Sequence, residues 1–127
     1  MGPRTERGAA VVDFVLIMVL LIPIVLGVMQ VALVMHVRNT ISAAASEGAR
    51  AAAVVDGDPS FGAQRTRTLI RAAIADKYAD HVSAGFGQVG GVPGTVVRVH
   101  AEVPALGLFG PGFSLSVEGH AVREDLP

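Results

Sequence analysis

Apolar residues are concentrated in one uninterrupted segment near the start of the chain. From Phe14 to Met35 the sequence reads FVLIMVLLIPIVLGVMQVALVM, in which the one strongly polar residue is Gln30. A helix of this length spans ~33 Å, close to the ~30 Å hydrocarbon thickness of a bilayer. The pattern therefore predicts a transmembrane helix.

Two other interpretations of this segment are weaker. A buried helix of a soluble core would need enough other apolar chain to surround it, and 127 residues offer too little. A cleaved secretory signal is suggested by Arg4 and Arg7, but the apolar region of such a signal spans only about 7–15 residues, which is shorter than this segment.

Positive charge alone does not fix the orientation of the helix in the membrane, because Arg38 and Arg50 after the segment nearly balance the two arginines before it. The much longer chain after Arg38 favours a cytoplasmic N-terminus and an extracytoplasmic C-terminal part.

Several residues in and beside the apolar segment call for a physical reason. Pro23 and Gly27 predict a kink or a loosened turn in the middle of the helix. Gln30 is expected either to hydrogen-bond to another helix or to turn back on its own backbone. Asp13 is costly in lipid unless a partner neutralises it or it lies in the interface near a helix N-terminus.

The helix is expected to continue from Arg38 to Val55, because this stretch lacks proline and is rich in strong helix formers. Small residues recur every four positions and form two stripes along it, which allow close approach of a second backbone. We expect packing against identical or related rods, although alanine is also abundant simply because it favours helix. The stripes consist of Ala44, Gly48 and Ala52, and of Ala45, Ala49 and Ala53.

The rest of the chain predicts a small α+β domain. Asp58 and Pro59 are a cap and first turn for a second, amphipathic helix to about Val82. The glycine-rich segment 84–94 is expected to be a flexible linker. Alternating residues predict strands at 95–103 and 113–122, separated by a turn-rich loop at 104–112, and forming an antiparallel hairpin over the second helix. Their inward residues are Val97, Val99, Ala101, Val103, Phe113, Leu115, Val117 and Ala121.

Composition and charge narrow the possible chemistry. The net charge of −1 does not favour nucleic-acid binding, and the absence of cysteine removes disulfides and thiol chemistry. His100, Glu102, Glu118 and His120 could share one sheet face as zinc ligands, but a solvated polar face is favoured. No serine lies in a nucleophile elbow. We therefore predict no enzymatic activity, no cofactor and no metal.

The opening of the chain resembles a type IV prepilin. MGPRTERG precedes AAVVDF, so that Asp13 lies five residues after Gly8. Residues 12–14, 36–40 and 47–50, together with a fainter match at 113–124, resemble the TadE-like family. Members of that family are pseudopilins of the tight-adherence (Flp) pilus machinery, and the resemblance implies a pilin-like fold.

The resemblance also implies a processing and assembly site. A prepilin peptidase would cut between Gly8 and Ala9, leaving Asp13 as the fifth mature residue, followed by Phe14. The new amine at Ala9 could be neutralised by Asp13 of a neighbouring subunit, since paired charges in lipid cost far less than isolated ones. Many members have glutamate where this chain has Asp13, so the carboxylate here must reach the amine from a side chain that is shorter by one methylene group.

These observations divide the chain into four segments: a leader (1–8), a transmembrane helix (9–37), its extracytoplasmic continuation (38–55) and a small domain (56–127). The first hypothesis is a TadE-like minor pseudopilin, whose partners are the membrane, a prepilin peptidase, other pilins and pilus assembly proteins. A generic single-pass protein with a partner-binding domain is the second. A tethered metal-binding or hydrolytic domain is the third.

Overall fold

A computed structural model describes residues 3–54, 58–105 and 112–123. The elements in chain order are helix α1 (Pro3–Val54), helix α2 (Pro59–Ala73), a 3₁₀ turn (Asp76–Ala79), and strands β1 (Val82–Val89), β2 (Val92–Val103) and β3 (Phe113–Val122). The strands form one antiparallel sheet in the order β1-β2-β3. The predicted α+β class is confirmed, with one strand more than the expected hairpin.

Helix α1 joins the apolar segment and the small-residue segment in one rod. Its 52 residues would extend for about 78 Å, and it is helical through both Pro23 and Gly27. The predicted continuation beyond Arg38 is confirmed as far as Val54. Val55 lies outside the described residues. The rod carries the N-terminal apolar surface and the packing surface for the domain on a single element.

Helix α2 begins as predicted but ends much earlier. The Asp58 carboxylate accepts a hydrogen bond from the Ser60 backbone N–H at 3.0 Å, and Pro59 occupies the first turn. The prediction of a helix to about Val82 is wrong, because the chain turns extended at Ile74. The following 3₁₀ turn buries Tyr78 and Ala79 in the core, and this packing replaces the predicted last turns of the helix.

Strand β1 occupies most of the segment predicted to be a flexible linker, so this prediction is wrong. Gly85 and Gly87 lie within the strand and pair with Val96 and Gly94 of β2. Gly90 and Gly91 have φ values of 59° and 82°, and they form the two-residue turn between β1 and β2. Such a turn favours glycine because positive φ is costly for other residues. Pairing with β2 therefore outweighs the low strand propensity of glycine.

Strands β2 and β3 agree with the predicted alternation. Val97, Val99, Ala101 and Val103 are buried, while Arg98, His100 and Glu102 are exposed. On β3, Val117 is buried and Leu115 and Ala121 are half-buried. Phe113 lies on the same face of the strand, as predicted, but at the end of the sheet, where it is 51% exposed. Of the loop predicted between the strands, residues 106–111 lie outside the described part of the chain.

The core lies between the inner face of the sheet and the two helices. The fully buried side chains include Val37 and Ile41 of α1, Ile70 of α2, and Val97 and Val99 of β2. The sheet therefore covers α2, as predicted for the hairpin, and the C-terminal half of α1 as well. This arrangement leaves the N-terminal half of α1 outside the domain.

Candidate membrane and assembly region

The N-terminal half of α1 exposes a continuous apolar surface. One helix among the described residues is long and apolar enough to cross a membrane, with a mean hydropathy of 3.0 over its best 18 residues and none of that window buried. Residues such as Leu20 and Val28 are 68% and 66% exposed. The core helix of a soluble protein would be covered by the rest of the chain. The exposure of these apolar side chains therefore contradicts the interpretation of the segment as a buried core helix.

The residues of the predicted cleavage and assembly site lie on the first turns of this helix. Gly8, Ala9, Asp13 and Phe14 are all exposed on α1. Ala9 and Asp13 are four residues apart, so they occupy one face about one turn, ~6 Å, from each other. In the part of the chain that the structure describes, Asp13 makes no hydrogen bond or ion pair. Its carboxylate is therefore open to a partner from outside the chain.

Gln30 connects the apolar segment to the domain. Its Nε2 donates a hydrogen bond to the Pro104 carbonyl oxygen at 3.2 Å. This contact is neither of the two expected for Gln30, which were another helix and its own backbone. Leu33 and Val34 also pack against the core, and Val37 is fully buried. One side of the C-terminal third of the predicted span is thus covered by the chain's own domain.

The small-residue stripes expected to pack against other rods are covered within the chain, apart from Ala53, which is half-buried. Ala44, Ala45, Ala49 and Ala52 are at most 5% exposed, and Gly48 is buried. A side chain at Gly48 would collide with Thr66 and Gly62 of α2, and one at Gly119 of β3 would collide with the Ala45 backbone. This surface is occupied by α2 and β3, so it is not open to a second rod in the folded chain.

Sequence reasoning missed the residues that cover these stripes. Gly62, Thr66 and Gly119 each lie in direct contact with α1. The Thr66 hydroxyl shares its one proton between Gly62 O at 2.8 Å and Ala44 O at 3.3 Å. The available signal was that Gly62 lies in a helix and Gly119 in a strand, where glycine is disfavoured unless another backbone approaches closely.

The polar face of the sheet is an ion-pair surface. Arg98 Nε contacts Glu118 Oε1 at 2.7 Å, and His120 Nε2 lies 3.3 Å from Glu118 Oε2. His100 pairs in register with Ser116, and Glu102 with Ser114. Among the described residues, no group of three His, Asp or Glu side chains is arranged to hold a metal ion. Glu118 is engaged by Arg98 and His120 on this exposed face.

An uncovered apolar helix followed by a small α+β domain fits a single-pass membrane protein. The model of the family described as TadE-like protein matches residues 8–50, about a third of the chain, in agreement with the resemblance in the sequence. That family consists of structural pilus components and is not known for catalysis. The curated proteins and the solved structures contain no significant match. The family match and the apolar helix fit a cell-membrane protein related to the tight-adherence pilus.

Proposed function

We propose that this chain is a TadE-like minor pseudopilin, a structural or assembly component of a tight-adherence (Flp) pilus. The observation that carries the proposal is that the segment matched by the family model contains the apolar stretch that the chain's own domain leaves uncovered. An uncovered apolar helix needs lipid or other apolar helices around it. A pseudopilin uses such a helix first as a membrane anchor and then as a packing surface among other pilins.

Processing would occur between Gly8 and Ala9. A prepilin peptidase removes residues 1–8 and leaves a positively charged amine at Ala9, four residues before Asp13. Both residues are exposed, so the same stretch of helix is available to an enzyme and to a neighbouring subunit. We orient the N-terminus to the cytoplasm and the domain outside it, in keeping with the length of chain after Arg38.

Asp13 would then neutralise the Ala9 amine of a neighbouring subunit during assembly. The structure offers the carboxylate no partner within the described residues, and an isolated charge at the edge of the apolar segment is costly. Phe14 beside it is 61% exposed and would pack against the neighbouring helix. Association would use this uncovered N-terminal face, because the small-residue stripes of residues 44–52 are already covered by α2 and β3.

The processing step is tested by the intact mass of the membrane-extracted protein from cells that carry a prepilin peptidase. The wild-type chain should lose its first eight residues, and Gly8→Ala should keep them. Gly27→Ala is the matched control, because an added Cβ meets nothing within 4 Å at either position. The control should be trimmed normally.

Retention of the leader by the wild-type chain, or normal trimming of Gly8→Ala, would contradict the proposal. The chain would then be better described as a single-pass membrane protein whose outer domain binds a partner.

A further inference from the structure

We infer that the end of the sheet formed by Pro104 and Phe113, which we call the sheet tip, inserts into the outer interface of the membrane that α1 crosses. The occupant of this surface is the lipid bilayer at the boundary between headgroups and acyl chains. Insertion requires only that α1 spans a membrane with the domain on one side, and it is independent of processing and of pilus assembly.

The first observation is the contact between the sheet tip and the apolar segment of α1. Gln30 donates its hydrogen bond to the Pro104 carbonyl, and Pro104 directly follows Val103, which pairs with Phe113 in the sheet. Gln30 lies five residues before Met35, the last residue of the apolar segment. The sheet tip therefore lies alongside chain that the bilayer is expected to surround.

A second contact, between β3 and α1, locates the sheet tip at a similar height along the α1 axis. The Gly119 backbone lies against that of Ala45, and Gly119 is six residues from Phe113, which is ~20 Å along a strand. For a strand parallel to the helix axis, the same distance corresponds to about 13 helical residues, which puts Phe113 at the level of Ala32. Ala32 lies about 5 Å along the helix axis from Met35, toward the N-terminus. Both contacts thus place Phe113 just inside the outer end of the apolar segment.

The side chains at this level suit lipid. Phe113 is 51% exposed, and Val31 and Met35 on the uncovered side of α1 are 64% and 50% exposed. Aromatic and aliphatic side chains commonly enter the interface to a depth of about 5–10 Å. Because the exposed apolar surface of α1 continues at the level of the sheet tip, the lipid that covers α1 would also reach Phe113.

Ionisable groups also lie beside the sheet tip. Lys77, His81, His100 and Glu102 line an open cavity next to Pro104. Acidic and basic groups are mixed there, so no strong attraction to anionic headgroups is expected. Apolar insertion therefore accounts for the surface better than electrostatic binding does.

The chain contains no tryptophan, so a single introduced tryptophan reports its own surroundings. The test places full-length Phe113→Trp in vesicles of phosphatidylethanolamine and phosphatidylglycerol, with or without lipids brominated on their acyl chains. Phe86→Trp is the matched control, because Phe86 is 66% exposed and pairs with Thr95 toward the other end of the sheet. Brominated lipid should quench about half or more of the tryptophan fluorescence at position 113 and little of it at position 86. Acrylamide, which is soluble in water, should quench the tryptophan at position 86 strongly and the one at position 113 weakly.

Two results would overturn the inference. Strong acrylamide quenching at position 113 with no effect of brominated lipid would put the sheet tip in water, and the bilayer would then surround residues closer to the N-terminus. Protection from both quenchers would mean that protein covers Phe113.

A second label keeps the test valid if the tryptophan variant does not fold. The chain has no cysteine, so Ser114→Cys and the exposed control Ser83→Cys each accept one nitroxide. The label at position 114 should be more accessible to oxygen than to a water-soluble nickel chelate. The label at position 83 should be more accessible to the nickel chelate than to oxygen. Greater access of the nickel chelate at both positions would overturn the inference.

Discussion

The side chain of Thr66 occupies the space that a side chain at Gly48 would need. This contact brings α2 against the backbone of α1, and it is reciprocal. A Cβ at Gly62 would lie 2.9 Å from both the Ala52 Cβ and the Gly48 carbonyl oxygen. Small residues on α1 therefore serve to dock the chain's own second helix.

Gly48→Ala and Gly119→Ala should each destabilise the domain. The new methyl group would overlap Thr66 in the first variant and the Ala45 backbone in the second, so helix and sheet must move apart. We expect a loss of about 1–3 kcal/mol in the free energy of unfolding, measured by chemical denaturation in detergent micelles. Gly85→Ala is the control, because its Cβ meets nothing within 4 Å. Equal stability of all three variants would contradict the close packing.

Two buried threonines should respond in opposite directions to replacement by valine. Thr66 and Thr95 are both fully buried, but only Thr66 donates hydrogen bonds, while Thr95 Oγ1 has no partner among the described residues. Thr66→Val should lower the free energy of unfolding by ~1 kcal/mol, and Thr95→Val should raise it by a similar amount. Denaturation of the two variants side by side measures both changes. A change of the same sign in the free energy of unfolding of both variants would contradict this prediction.

Ala49→Leu should disrupt the domain itself rather than only association between chains. Ala49 is fully buried, and a larger side chain has no space there. We expect rapid cleavage of the domain in limited proteolysis of the membrane-extracted protein. Ala43→Leu is the control, because Ala43 is exposed on the same helix and should leave the domain resistant. A resistant Ala49→Leu domain would show that this surface is open.

Asp13→Ala should leave processing intact and impair assembly. Removal of the carboxylate leaves the Ala9 amine of the neighbouring subunit without a counter-charge in lipid. We expect a mature form of normal mass but markedly fewer sheared pili in the native host. Asp13→Glu keeps the charge and should restore pilus output. Unchanged pili in Asp13→Ala would remove the proposed role of the acid.

Local sequence patterns predicted several elements correctly. The apolar segment and the alanine-rich stretch after Arg38 predicted α1, and Asp58 with Pro59 predicted the start of α2. These signals are local, since helix propensity, a cap and strand alternation act within a few residues. The glycine-rich β1 carries no comparable signal, because its pairing with β2 supplies the stability that its own residues lack.

The amino-acid sequence by itself determined that the chain has a long apolar helix, a polar start before it and an α+β domain after it, because hydrophobic pattern and backbone propensity are properties of neighbouring residues. Only the tertiary structure decided which surfaces of that helix remain uncovered. Whether Gln30 meets another helix or Pro104, and whether Gly48 and Ala49 face another chain or α2, depends on contacts between residues far apart in sequence.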